Sequence, residues 1–275
     1  MKFKTLNIAF FIAFAVLPLA AGLVFAGLYS LGLIGALNQG FTSEHWYKIL
    51  MDNALWSSLF LSASISVFSI LISVSLALFL TVKYGDIFKR RTHHFLLYVP
   101  LSMPPIIVAF WTFQLLSNSG ILARICYKIG LISNIDTFPT LINDPLYFGV
   151  IVAMVLATFP VFTLLFLSFY ASENIEIFNQ LGQTLGATTG QIRRKIIIPI
   201  LLRKAQPNII LYSLFLFGAF ESPLLLGRQS PRMVSVLIHS KFNKFNLLDL
   251  PQAYVLTVIY ASIVLITVFL SLRKK

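Results

Sequence analysis

Charged residues along this chain fall in short islands, and long apolar stretches without a charge run between them. The first stretch lies between Lys4 and Glu44, the second between Asp52 and Lys83, and the third between His94 and Arg124. A fourth runs from Asp144 to Glu173, a fifth from Lys204 to Glu221 and a sixth from Asp249 to Arg273. A hydrocarbon core about 30 Å thick is crossed by ~20 helical residues. The stretches therefore predict six spans, at about 7–30, 56–82, 95–117, 146–170, 207–227 and 252–272. Each must be helical, because lipid offers no partner to backbone N–H and C=O groups. Strands of a membrane barrel would alternate in ~10-residue segments, and the stretches here are continuous. The expected fold class is an all-α membrane protein with six transmembrane helices. The first stretch, with Lys2 and Lys4 ahead of it, is too long for the apolar part of a signal peptide and five more follow, so a retained first helix is expected.

Composition agrees with this pattern. The chain has 275 residues, 58% hydrophobic and 11% charged, against about 25% charged in soluble domains. With a mean hydropathy of +0.87, it has too little polar surface to be a soluble enzyme. The net charge of +12 lies between the apolar stretches with no basic, aromatic face, which argues against nucleic acid and for the positive-inside bias of membrane proteins. With the N-terminus inside, Lys2, Lys4, Lys83, Lys89, Arg90, Arg91, Arg193, Arg194, Lys195, Arg203, Lys204, Arg273, Lys274 and Lys275 face the cytoplasm. Lys48, Arg124, Lys128, Arg228, Arg232, Lys241 and Lys244 face outward. This bias predicts both termini in the cytoplasm. The single cysteine, Cys126, excludes an internal disulfide. The four histidines, His45, His93, His94 and His239, lack metal-ligand spacing.

Two segments depart from plain apolar helix. Pro100, Pro104 and Pro105 interrupt span three, and prolines remove helix hydrogen bonds and bend the chain. The bend is either a packing kink or the lining of a translocation route. The second segment, 174–199, joins spans four and five. Phe178, Leu181 and Leu185 recur at helical spacing, Gly186 suits a helix end, and Thr188 or Thr189 suits the start of a second helix carrying Ile192 and Ile196. Pro199 then leads into span five. A short helix, a glycine turn and a second helix with an apolar face suit either a groove on a soluble partner or the lipid surface.

At these residues the sequence resembles the EAA loop of permease subunits in binding-protein-dependent ABC importers. That pattern runs Glu-Ala-Ala, three residues, Gly, and about nine residues to an Ile-x-Leu-Pro end. Leu185-Gly186-Ala187 matches its Leu-Gly-Ala core, and Ile196 to Pro199 matches its end, between spans four and five as in the family. Gln180-Leu181-Gly182 stands where Glu-Ala-Ala is usual; Gly182 keeps a small residue and Gln180 lacks the carboxylate. Pro100 with Pro104-Pro105, Gly120-Ile121-Leu122 and Gly130-Leu131 look like the family's span three and outer loop. Phe220 to Gly227 resembles the end of span five in spermidine/putrescine-type and ferric-iron-type permeases.

The resemblance implies a type I importer permease, MetI-like in fold, with residues 1–275 as one transmembrane domain. Its implied partners are a cytoplasmic ABC ATPase dimer, a second permease subunit (a paralogue or a copy of this chain), a periplasmic or lipid-anchored solute-binding protein and the bilayer. The implied location is the bacterial inner membrane. Transport would proceed by alternating access, driven by ATP closing the ATPase dimer. Coupling to the ATPase would fall to Phe178, Gln180, Leu181, Gly182, Leu185, Gly186, Ala187 and Pro199. Gly186 would set the turn, and the face of Phe178, Leu181 and Leu185 would pack the knob. No GxxxxGK[ST] phosphate loop occurs, so ATP and Mg are expected on the partner and no cofactor on this chain.

Glu221 is the one acid inside a predicted span, and such a group is a functional candidate. Charged, it would attract a cationic solute such as a polyamine; paired with Arg228 or snorkelling to the boundary, it would be structural. Ser222, Ser102 and Ser117 offer hydroxyls that either meet solute or bond their own backbone, and Pro104 stands on the same tentative pathway. A transporter driven by an ion gradient is the alternative. It would usually show internal repeats and several buried carboxylates, which this sequence lacks. A membrane enzyme would need clustered His, Asp or Glu, and the acids here lie almost wholly in the loops.

Overall fold

The computed structural model describes residues 10–35, 40–88, 91–244 and 246–273, apart from the side chains of 86, 91–94 and 248. Residues 7–9 of the first predicted span lie outside the described residues, as do Lys2, Lys4, Lys89, Arg90, Lys274 and Lys275, on which part of the orientation rests. Helices make up every longer element among the described residues. In chain order they are α1 (Ile12–Ser30), α2 (Glu44–Leu50), α3 (Asn53–Phe88), α4 (Arg91–Leu101), α5 (Pro105–Leu116), α6 (Ile121–Lys128), α7 (Phe148–Ser172) and α8 (Ile175–Thr184). There follow α9 (Thr189–Ile192), a π turn (Arg193–Ile197), α10 (Ile198–Phe217), α11 (Glu221–Leu226), α12 (Val234–Phe242) and α13 (Leu250–Arg273). Among the described residues five stretches are long and apolar enough to cross a membrane: Ile12–Ser30, Asn53–Gly85, Pro105–Lys128, Phe148–Ser172 and Leu250–Arg273. The third of these joins α5 and α6 across a break at Ser117–Gly120.

Two predicted spans are not single helices. Span 95–117 breaks between α4 and α5, where Pro104 caps α5 with ψ at 145°. The cause is local: Pro105 bars its predecessor from the helical region, so Pro104 is extended. Pro100 lies inside α4, one residue from its end. Span 207–227 breaks at Gly218–Phe220 into the second half of α10 and the short α11. The helix that carries it starts earlier, at Ile198, and includes Arg203 and Lys204. In the other direction α3 outruns its predicted 56–82. Its 36 residues reach about 54 Å at 1.5 Å per residue.

The chain forms two compact units, Met1–Leu59 with Val234–Lys275, and Phe60–Met233. In the first, α1 lies along α13, and Phe25, Tyr29, Phe242 and Tyr254 stack with ring centroids 4.3–5.9 Å apart. Ile49, Leu55, Val255 and Leu256 form its small core. Only 6% of the apolar window of α1 and 11% of that of α13 is buried, so most of their apolar surface needs lipid or a partner helix.

In the second unit α7 is the central post, with α4, α5, α10 and α11 packed on it. Met154, Phe162 and Phe166 are fully buried along it. One face of α3 carries Ser62, Ser66, Ser69 and Ser73, all buried. Ser73 shares a 2.7 Å hydrogen bond with Thr158 of α7, Ser69 meets the Met154 sulfur, and Ser66 donates to the Ser213 carbonyl of α10. Small residues let membrane helices approach closely, and their hydroxyls are satisfied across the interface.

Candidate functional site

The 174–199 segment folds as a closed helix–turn–helix at one end of the second unit. Asn174 enters α8 in the left-handed conformation, with φ of 49°. The helix ends at Gly186, where φ is +81°. The Ala187 N–H bonds the Gly182 carbonyl at 3.0 Å and the Gly186 N–H bonds that of Gln183 at 2.9 Å, the two bonds of a Schellman close. Thr188, not Thr189, caps the next helix. Its hydroxyl accepts from the Gln191 N–H, and the Gln191 side chain accepts from the Thr188 N–H at 2.9 Å. Substituting Thr188 by alanine is expected to cost about 1 kcal/mol, read as a lower thermal unfolding midpoint of the purified chain. The π turn lies just before Pro199. A proline there has no N–H for the carbonyl four residues back and crowds it, which widens the preceding turn.

The knob is packed differently from the sequence expectation. Phe178, Leu181 and Leu185 do not close it; they are 43%, 53% and 86% exposed, beside Ile177 at 54%. Ile175 and Ile192 are buried instead. A Cβ on Gly182 would lie 2.8 Å from both Cδ1 and Cγ1 of Ile192, so the glycine is the point where the two helices touch. Gln180 is exposed, while Ala187 packs against the main core. Lys204 of α10 pairs with Glu173 at the end of α7, 2.6 Å apart. Both side chains are partly exposed, so Lys204→Ala should change stability by no more than about 1 kcal/mol, measured by the same unfolding assay.

Beside this segment lies a cavity of about 660 Å³, lined by the end of α3, Tyr98, the end of α7, α8, Thr189 and the π turn. Among the described side chains Lys83 and Arg193 are its cations and Glu176 its carboxylate.

The residues tentatively placed on a solute pathway are not gathered at one site. Glu221 opens α11 half-buried, and among the described residues it forms no ion pair with Arg228. Ser222 is buried in the same turn. Ser102 is exposed at the α4–α5 break and bonds its own backbone, the Val99 carbonyl at 2.8 Å. Pro104 caps α5 and Ser117 ends it. The α11 turn packs on α5 and α7. It is held further by the Asn143 N–H on the Leu226 carbonyl at 2.9 Å and by the Tyr147 hydroxyl on the Pro231 carbonyl.

No protein-family model matches the sequence, and no curated protein matches it. Solved structures do. One is a chain of a bacterial alginate ABC transporter in complex with an alginate pentasaccharide-bound periplasmic protein. The likeness covers 98% of this chain and 91% of that one, at 20% identity and a TM-score of 0.70. Another is a chain of a bacterial ABC transporter involved in the import of the acidic polysaccharide alginate, with 99% and 93% covered, 17% identity and a TM-score of 0.72. This chain has the fold of an ABC transporter chain. At such identities the likeness is one of fold, and it runs through both units and the helix–turn–helix alike.

Proposed function

We propose that this chain is the permease subunit of an ABC importer, forming part of a solute pathway and coupling it to a separate ATPase. The observation that carries the proposal is the exposed apolar face of α8. Phe178, Leu181 and Leu185 are exposed on a helix closed at its C-terminal end by the Gly186 turn, with Ile177 beside them. A helix face of this kind docks in a groove of a partner, and an ABC transporter fold makes the ATPase the natural partner. On this reading Gly182, Gly186 and Ala187 shape the knob, Pro199 and the π turn connect it to α10, and Gln180 lies on its rim. ATP and Mg belong to the ATPase dimer, and the chain itself works without a cofactor or catalytic step.

The wider assembly follows from the same reading: residues 1–275 as one permease domain with six crossings, in the bacterial inner membrane, both termini cytoplasmic. A second permease subunit covers apolar surface left open on α1 and α13. A periplasmic or lipid-anchored binding protein delivers solute, and nucleic acid has no part. The solute is a polar or charged molecule. A polyamine would need Glu221, and that carboxylate is half-buried in the first turn of α11 and does not line the cavity beside the helix–turn–helix. The likeness to chains of alginate transporters keeps acidic oligosaccharides among the solutes to assay. An ion-gradient transporter is disfavoured by the fold.

The test is recovery of the tagged chain in mild detergent from its native host. An ATP-binding subunit in the eluate at near-stoichiometric amount supports the reading. A well-folded chain recovered without one sinks it.

A further inference from the structure

The cavity beside the helix–turn–helix contains polar groups that the chain itself leaves unsatisfied. Thr81, on the α3 wall, is 2% exposed, and its hydroxyl has no hydrogen-bond partner. A threonine in a helix can bond the carbonyl one turn back, and this hydroxyl does not. The Asn179 side-chain oxygen, on the α8 wall, is likewise buried and unpartnered. Lys83 and Arg193 line the same space. Among the described residues neither is in an ion pair; Lys83 lies 5.2 Å from the rings of Phe79 and Tyr84. Arg193 opens the π turn, a distortion that recurs at functional sites. Among the described side chains Glu176 is the single carboxylate on the wall, and it takes a 3.5 Å hydrogen bond from Tyr170.

We propose that this cavity binds a phosphate-bearing anion, held by Lys83 and Arg193 with Thr81 and Asn179 completing the donors. A guanidinium and an ammonium outweigh one carboxylate, and Arg offers phosphate a two-pronged contact. The amide of Asn179 can turn its nitrogen inward, because the two ends of an amide are alike in shape. Thr189 also lines the space. A volume of about 660 Å³ exceeds what a bare phosphate fills and suits one that carries a substituent, as a phospholipid headgroup does. Basic pockets between membrane helices at the cytoplasmic side take such headgroups. Phospholipid and free phosphate share this chemistry. The site does not depend on the ATPase reading, only on the chain lying in a bilayer. An anion there would brace α3, α7, α8 and the π turn against one another.

The test uses the full chain in two arms. In the first, it is reconstituted in vesicles of equal parts phosphatidylglycerol and phosphatidylcholine, extracted, and weighed intact by mass spectrometry with its retained lipid. In the second, the delipidated chain is titrated with inorganic phosphate. Retention of phosphatidylglycerol over phosphatidylcholine assigns a lipid headgroup. Phosphate binding without retained lipid assigns the free anion. Lys83→Gln with Arg193→Gln should weaken either by about a hundredfold, since each charged hydrogen bond contributes roughly a factor of ten. Thr81→Val, which keeps the shape and the fold, should weaken it by about tenfold. Wild-type chain that binds in neither arm overturns the proposal whatever the variants do. So does retention by folded variants that equals wild type.

Discussion

Replacing Gly182 by leucine should unfold the helix–turn–helix and lower the stability of the chain by about 3 kcal/mol, the upper part of the range for overpacking a filled core. The expectation rests on one contact. A Cβ at this position would sit 2.8 Å from two carbons of Ile192, and real Cβ atoms do not approach carbon so closely. Ile192 is 1% exposed, so its side chain has nowhere to swing. Alanine already makes that contact and should cost roughly 1 kcal/mol. The bulk that the first helix gives up at Gly182 is taken by Ile192 of the second. Ile192→Ala alone opens a cavity and should cost about 2–5 kcal/mol. Combined with Gly182→Leu it should cost less than the sum, with a coupling of about 1–3 kcal/mol. Thermal unfolding in detergent of the four chains closes the cycle. Additive losses would show that the two side chains do not compete for the same space.

Much of this segment was legible beforehand, because its signals are local. Gly186 and the spacing of Phe178, Leu181 and Leu185 mark the end of α8 and its apolar face from the sequence alone. The choice between Thr188 and Thr189 was also decidable. Only Thr188 has a Gln three residues on, the reciprocal cap pattern, whereas Thr189 has Ile192 there. The break at Pro104 was readable too, since a proline pair forces the first ring extended.

What was not legible depends on residues far apart in the chain. Nothing within 207–227 says that α10 begins at Ile198 and takes in Arg203 and Lys204, because the apolar count stops at the charges while the helix does not. Lys204 is kept at the helix surface by Glu173, a partner in another element. The serines of α3 repeat at helical spacing and were visible, yet their meaning appears only against Met154, Thr158 and Ser213. The cavity is built from the ends of α3 and α7 together with α8, so no window of sequence contains it. Glu221 stood out for its charge, and charge alone did not place it on a described cavity.

Introducing a carboxylate on the exposed face of α8 should abolish ATPase association while leaving the chain folded. Leu185 is 86% exposed and Leu181 53% exposed, so Leu185→Asp and Leu181→Asp disturb little within the chain itself. In a docked complex the same carboxylate would be buried in an apolar groove without a partner, at a cost of about 3 kcal/mol or more. That corresponds to roughly a hundredfold weaker binding. Gly186→Asp is a poorer probe, because φ of +81° strains any side chain and confounds folding with docking. The leucine variants also separate the two readings that an amphipathic face leaves open. A face that lies on lipid predicts weaker membrane retention of the loop and no change in ATPase recovery. A face that docks predicts the reverse: unaltered unfolding midpoint and gel-filtration profile, with the ATPase lost from the eluate. Serine in place of Leu185 gives the calibration, since it removes the apolar contact without adding charge and should fall between wild type and the aspartate. ATPase recovery that is equal across wild type, serine and aspartate would take α8 out of the interface altogether.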